Sequence, residues 1–144
     1  MKKLYFLIAV AIFVSALFCG CSGRVYPSDV PKEAVDLYYD YLDALSDGFT
    51  DALAEKYLHI EIPDPEPFTG QCKVAKYKIF GWEALSDKLW VVSHKLTVTD
   101  YPEIGEGVNF VGIVDGEYRV MRGVIDIPEE LKEGLDLERF EYKL

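Results

Sequence analysis

Val74-Ala75-Lys76-Tyr77-Lys78-Ile79-Phe80-Gly81-Trp82-Glu83-Ala84-Leu85, the pair Ser86-Asp87, and Lys88-Leu89-Trp90-Val91-Val92-Ser93-His94-Lys95-Leu96-Thr97-Val98 form the stretch on which the fold depends. From Cys72 onward the hydrophobic period is two, the period of a strand. Closed as a tight hairpin at Ser86-Asp87, the stretch pairs Ile79 with His94, Tyr77 with Leu96 and Ala75 with Val98 on one face. Lys78 then meets Lys95, and Lys76 meets Thr97, on the other. One face is apolar and the other carries lysines, which predicts a sheet covered on one side. Gly81, inside the first strand, predicts a bend or bulge.

Downstream, residues 107–114 and 117–127 flank Asp115-Gly116, the strongest hairpin turn in the chain. This pairing sets Asn109 opposite Arg122 on a face shared with Val111, Ile113, Tyr118, Val120 and Val124. Pro128 ends the strand, because it cannot donate to a ladder. The charged tail, residues 129–142, is expected to form one or two helical turns.

Upstream, Ser28 or Asp29 is placed to cap a helix whose first turn holds Pro31 and Glu33. Ala34, Val35, Leu37, Tyr38, Tyr41, Leu42 and Leu45 share one arc of this helix, which stops near Gly48. Lys32, Glu33, Asp36, Asp40, Asp43 and Asp47 lie opposite, and the aspartate stripe reads as a solvated face. Thr50 caps a second helix over residues 51–58, and His59-Ile60-Glu61-Ile62 alternates like a short strand. Pro63-Asp64-Pro65-Glu66-Pro67 reads as a stiff loop. Its acids, with Glu61, fall short of the six to eight oxygens that calcium requires.

Met1-Lys2-Lys3, an apolar run from Leu4 to Phe18 broken by Ser15, and Cys19-Gly20-Cys21-Ser22-Gly23 read as a secretory signal. The ending resembles the lipobox of bacterial lipoproteins, although Phe18 and Cys19 stand where Leu and a small Ala or Ser are usual. The resemblance implies lipidation at Cys21 and a domain held at a cell membrane, outside the cytoplasm. An uncleaved membrane anchor would put the domain in the same compartment. The expected organisation is a signal over residues 1–21, a tether over 22–28 and a single domain over 29–144. Extended, the tether reaches at most about 25 Å.

All 25 acidic residues follow Cys21, whereas two of the 15 basic ones precede it, leaving 13 bases against 25 acids, a net −12. Such a charge opposes nucleic acid and anionic lipid surfaces. Cys72 is the one thiol left after Cys19 and Cys21, so no internal disulfide is expected.

Helix, helix, then long antiparallel strands is an α+β order. With the Tyr-rich first helix and the phrase Asn109-Phe110-Val111-Gly112-Ile113-Val114-Asp115-Gly116-Glu117-Tyr118-Arg119-Val120, it resembles the nuclear transport factor 2-like superfamily over residues 31–127. The resemblance implies N-terminal helices packed in the concavity of a curved antiparallel sheet, a cystatin-like cone with a pocket at its wide end. That superfamily includes isomerases and dehydratases as well as binding domains without a reaction.

The candidate pocket residues are Tyr38, Tyr41, His94, Asn109 and Arg122, provided the sheet register sets His94 on the face of Asn109. No catalytic residue is assigned, because no Asp or Glu shares that face to form an acid–base pair. No cofactor or metal is expected, since His59 and His94 alone cannot close a zinc site. The favoured reading is a lipid-anchored, non-catalytic domain binding a small molecule or protein. One alternative is an isomerase- or dehydratase-type enzyme with His94 as base and Arg122 or Tyr38 polarising a carbonyl. Another is a homodimer formed through an open sheet face near Phe80 and Trp82.

Overall fold

A computed structural model describes residues 23–61, 73–99 and 105–141. The signal segment with Cys21, the 63–67 proline loop and Cys72 lie outside the described residues. Helix α1 (Lys32–Ala44) runs into a 3-10 turn (Leu45–Asp47), followed by helix α2 (Asp51–Tyr57). Strands β1 (Val74–Ala84), β2 (Leu89–Val98), β3 (Glu106–Val114) and β4 (Glu117–Met121) form one curved antiparallel sheet in the order β1-β2-β3-β4. A short 3-10 turn (Val124–Asp126), helix α3 (Glu129–Lys132) and a second 3-10 turn (Glu138–Phe140) complete an α+β architecture.

The apolar arc of α1 is buried as its spacing dictates, with Ala34, Val35 and Tyr38 fully inaccessible and Leu42 nearly so. Each large side chain buried this way contributes about 1.5–3 kcal/mol, far more than helix propensity at any one position. Neither Ser28 nor Asp29 caps the helix. They lie in a turn before it, and Pro31 occupies the cap position with φ −56° and ψ 139°. Its fixed φ directs the chain into the first turn, where its carbonyl accepts from the Ala34 and Val35 amides. Gly48, at φ 107°, ends the 3-10 turn that follows. Thr50 caps α2 as expected, its Oγ1 accepting from the Leu53 amide at 3.2 Å. Beyond α2 no strand forms over 59–61; a single parallel bridge joins Leu58 to Val120, and the His59 amide donates to the Val120 carbonyl.

The first hairpin departs from the expected tight turn by one residue. Leu85 N–H donates to the Leu89 carbonyl, so Ser86, Asp87 and Lys88 all lie in the turn, and Ala84 faces Trp90. A bulge between Ile79 and Gly81 absorbs the extra residue, and beyond it the expected pairs Ile79–His94, Tyr77–Leu96, Lys78–Lys95 and Lys76–Thr97 return. A second irregularity replaces the Ala75–Val98 pair with Val74–Val98, burying Val74 and exposing Ala75.

Because a one-residue slip exchanges faces, the first bulge turns Trp82 away from the lysine face. Its ring meets Tyr38 edge-on at 5.5 Å on the α1 side, while Phe80 stays exposed. Phe80 and Trp82 therefore do not form one open face.

The second hairpin closes as predicted. Asp115 and Gly116 both have positive φ (52° and 82°), the signature of a type I′ turn. Its register, Phe110 opposite Met121, continues to Asn109 opposite Arg122, but β4 stops at Met121. The expected strand to residue 127 is replaced by a crossing onto the far face of the sheet. There Ile127, Leu131 and Leu137 bury with Leu89, Val91, Phe110, Val114 and Met121 in a second core. Phe140 meets Phe110 edge-on at 5.5 Å. Gly112 lies under this cover; a Cβ there would sit 2.8 Å from Met121 Cε and 3.1 Å from Leu131 Cδ1.

The sheet is thus covered on both faces along β2 and β3, not on one. Leu89-Trp90-Val91-Val92 and Asn109-Phe110-Val111-Gly112 are buried without alternation, the mark of a strand with no wet side. The lysine face survives only at the far end of the first hairpin, where Lys76, Lys78 and Lys95 are exposed. Among the described residues, no helix is long and apolar enough to cross a membrane.

Candidate functional site

Three of the five expected pocket residues meet inside the first core. β2 pairs Val92 with Asn109 and His94 with Gly107, so His94 and Asn109 are diagonal neighbours on the face that α1 covers. Tyr38 descends from α1 between them, its hydroxyl 2.9 Å from His94 Nδ1. Asn109 Nδ2 donates to the same hydroxyl at 3.1 Å. A phenol has one proton, and this geometry commits it. The hydroxyl accepts from Asn109 and donates to His94 Nδ1, which fixes the neutral ring with its proton on Nε2.

The environment enforces that state. Tyr38 is fully buried, and His94 and Asn109 are 6% and 7% exposed. Burial pushes the Tyr38 phenol well above its ordinary range, with the Tyr41 phenol raising it further and the Asn109 amide opposing. Burial also lowers the His94 pKa, against a smaller upward pull from the Val92 carbonyl. No carboxylate enters either balance. The trio is a polar plug whose members satisfy one another, in a low-dielectric setting where an unmade bond is costly. Trp82 beside it buries an indole N–H that has no partner among the described residues.

The other two expected residues stand apart from the trio. Tyr41 stacks obliquely between Tyr38 and Tyr57, at 5.9 and 6.1 Å, and its phenol is pushed up to about 12 by burial. Arg122 is exposed, with its guanidinium over the Phe49 ring at 5.2 Å. The β4 chain leaves the sheet at that point, so the side chain ends at the rim and not between helix and sheet.

The largest concavity lies elsewhere, between α1 and β1. It is a groove of about 630 Å³ walled by Tyr39, Leu42, Asp43 and Ser46 on the helix side and by residues 74–79 on the strand side, with Gly23 at one end. Tyr77 crosses it, its hydroxyl donating to Asp43 Oδ1 at 2.8 Å; burial and that carboxylate raise its pKa to about 12.

The aspartate stripe of α1 is not simply solvated. Arg24 ion-pairs with Asp36 at 3.0 Å and with Asp40, and its guanidinium covers the Tyr39 ring at 5.5 Å. Val25 N–H donates to the Tyr39 hydroxyl, and the Tyr26 hydroxyl and Lys32 both donate to Asp36. These donors hold the Asp36 carboxyl well below the usual carboxylate range. Sequence reasoning missed this clamp. The available signal was a row of acids with too few bases on its own helix, which leaves a nearby Arg as the natural partner.

The arrangement defines a small α+β domain with a filled, hydrogen-bonded interior and its main groove at the sheet edge. No family model, curated protein or solved structure matches the chain.

Proposed function

We propose that this chain is an exported lipoprotein, acylated at Cys21, whose domain binds a small molecule or protein outside the cytoplasm without catalysing a reaction. In this reading the helix-on-curved-sheet body is a variant of the cystatin-like cone of the nuclear transport factor 2-like superfamily, with its interior plugged. The observation that carries the proposal is the closure of Tyr38, His94 and Asn109 on one another. A general base must reach a substrate proton. His94 has its Nδ1 occupied by Tyr38 and little exposed surface. Binding then falls to the α1–β1 groove, whose Tyr39, Tyr77 and Asp43 offer aromatic faces and hydrogen-bonding groups.

Two measurements test this. Labelled palmitate should enter the wild-type chain and not Cys21→Ser. A photo-crosslinking residue replacing Ser46 in the groove should give an adduct in intact cells that is missing when the same residue replaces Glu130. Equal adducts at both positions, or turnover of a small ketone lost in His94→Gln, would overturn the binding reading.

A further inference from the structure

We propose that Lys76 and Lys78, at the exposed edge of β1, dock on anionic phospholipid headgroups, and that the Arg24 clamp turns this edge toward the membrane. The inference rests on the lipid-anchor reading above. It begins with the length of the leash. From Arg24 onward the chain is fastened to α1 through Asp36, Asp40 and Tyr39. Three peptide units separate Cys21 from Arg24, a span of at most about 11 Å. That is close to the depth of one headgroup layer plus a Debye length in physiological salt. An acyl chain on Cys21 therefore holds Gly23 at the lipid surface.

Gly23 lines the same groove as Lys76 and Lys78. Both lysines are exposed, and neither forms an ion pair among the described residues. Lys95 stands opposite Lys78 in the ladder, with Glu106 as its other neighbour. Residues 73–99 carry five lysines against Glu83 and Asp87, in a chain whose exported part has 25 acids to 13 bases. Over an anionic surface the two signs act in one rotational sense: the acidic outer face of α1 is repelled and the lysine edge is drawn down. The chain's overall acidity, which argues against lipid contact, conceals this segregation.

The test uses the mature acylated chain in vesicles of phosphatidylcholine alone or mixed with phosphatidylglycerol, with lysine acetylation followed site by site by mass spectrometry. Lys76 and Lys78 should label at least about threefold more slowly on the mixed vesicles at low salt, and the difference should vanish at high salt. Lys56 and Lys88 should label equally on both. Arg24→Ala, which lengthens the leash, should reduce the protection. Equal labelling of Lys76 and Lys78 on both vesicles would overturn the inference, as would equal protection of every lysine. Protection by soluble inorganic phosphate on phosphatidylcholine vesicles would assign the lysines to free phosphate and overturn it too. Intact mass separates the two readings: a chain without acyl groups removes the anchor and this inference together, whereas an acylated chain with unprotected lysines removes this inference alone.

Discussion

The Tyr38 hydroxyl donates to His94 Nδ1 across the interface between α1 and the sheet, and the same hydroxyl accepts from Asn109. One phenol thus serves two strands. Tyr38→Phe would leave a buried acceptor and a buried donor unpaired, at a cost of about 1–3 kcal/mol. Urea denaturation should show that loss. Asn109→Ala in the Tyr38→Phe background should cost less than Asn109→Ala alone, because the shared bond is already gone. Full additivity would mean that the three groups are not one network.

The His94 ring titrates below its ordinary value in the folded protein because burial disfavours its charge. As pH falls through about 6.5 the unfolded chain takes up the proton first, so stability declines from there until the folded value is passed. Protonation at Nδ1 would also oblige the Tyr38 hydroxyl to give up its donor role. The urea midpoint of the wild type should drop between about pH 7 and pH 5.5, and His94→Gln should flatten that segment. An unchanged slope in His94→Gln would assign the effect to other groups.

Asp36 acts in a different window. Lys32, Tyr26 and Arg24 hold its carboxyl down in the folded state, so its contribution is present above the ordinary carboxylate pKa and is lost as pH falls below it. The group is open to solvent and its effect on stability is small. Its effect on local order is larger. Trypsin should cut after Arg24 slowly in the wild type and several-fold faster in Asp36→Asn/Asp40→Asn, because both carboxylates that hold the guanidinium are gone. Equal cleavage rates would show that the clamp does not order residues 23–27.

Gly112 is where the C-terminal cover presses on the sheet. Gly112→Val forces Met121, Leu131 and Leu89 to move and should cost about 1–3 kcal/mol in thermal denaturation. Gly105, with nothing within 4 Å of its Cβ position, is the control, and Gly105→Val should stay within about 0.5 kcal/mol of wild type. Similar losses at both positions would point to strand conformation and not to packing under the cover.

Local chemistry alone determined a good part of this protein. The buried arc of α1, the Thr50 cap, the Asp115-Gly116 turn and the bulge near Gly81 follow from side-chain period, capping groups and backbone freedom, all of which act within a few residues. The far half of the first hairpin was legible for the same reason, even though the turn is one residue longer than expected, because the bulge restores the register.

Tertiary structure decided the rest. Residues 122–127 alternate like a strand, yet Ile127 gains more by crossing to the far face than β4 would gain from further edge pairing. The unbroken apolar runs at Leu89–Val92 and Phe110–Val111 announced that second layer, but not which segment would supply it. Whether His94 faces Asn109 depended on inter-strand register, which no single strand encodes. The meeting of Arg24 with Asp36 and Asp40 depended on the path of residues 23–31, because a charge finds its partner through space and not along the chain.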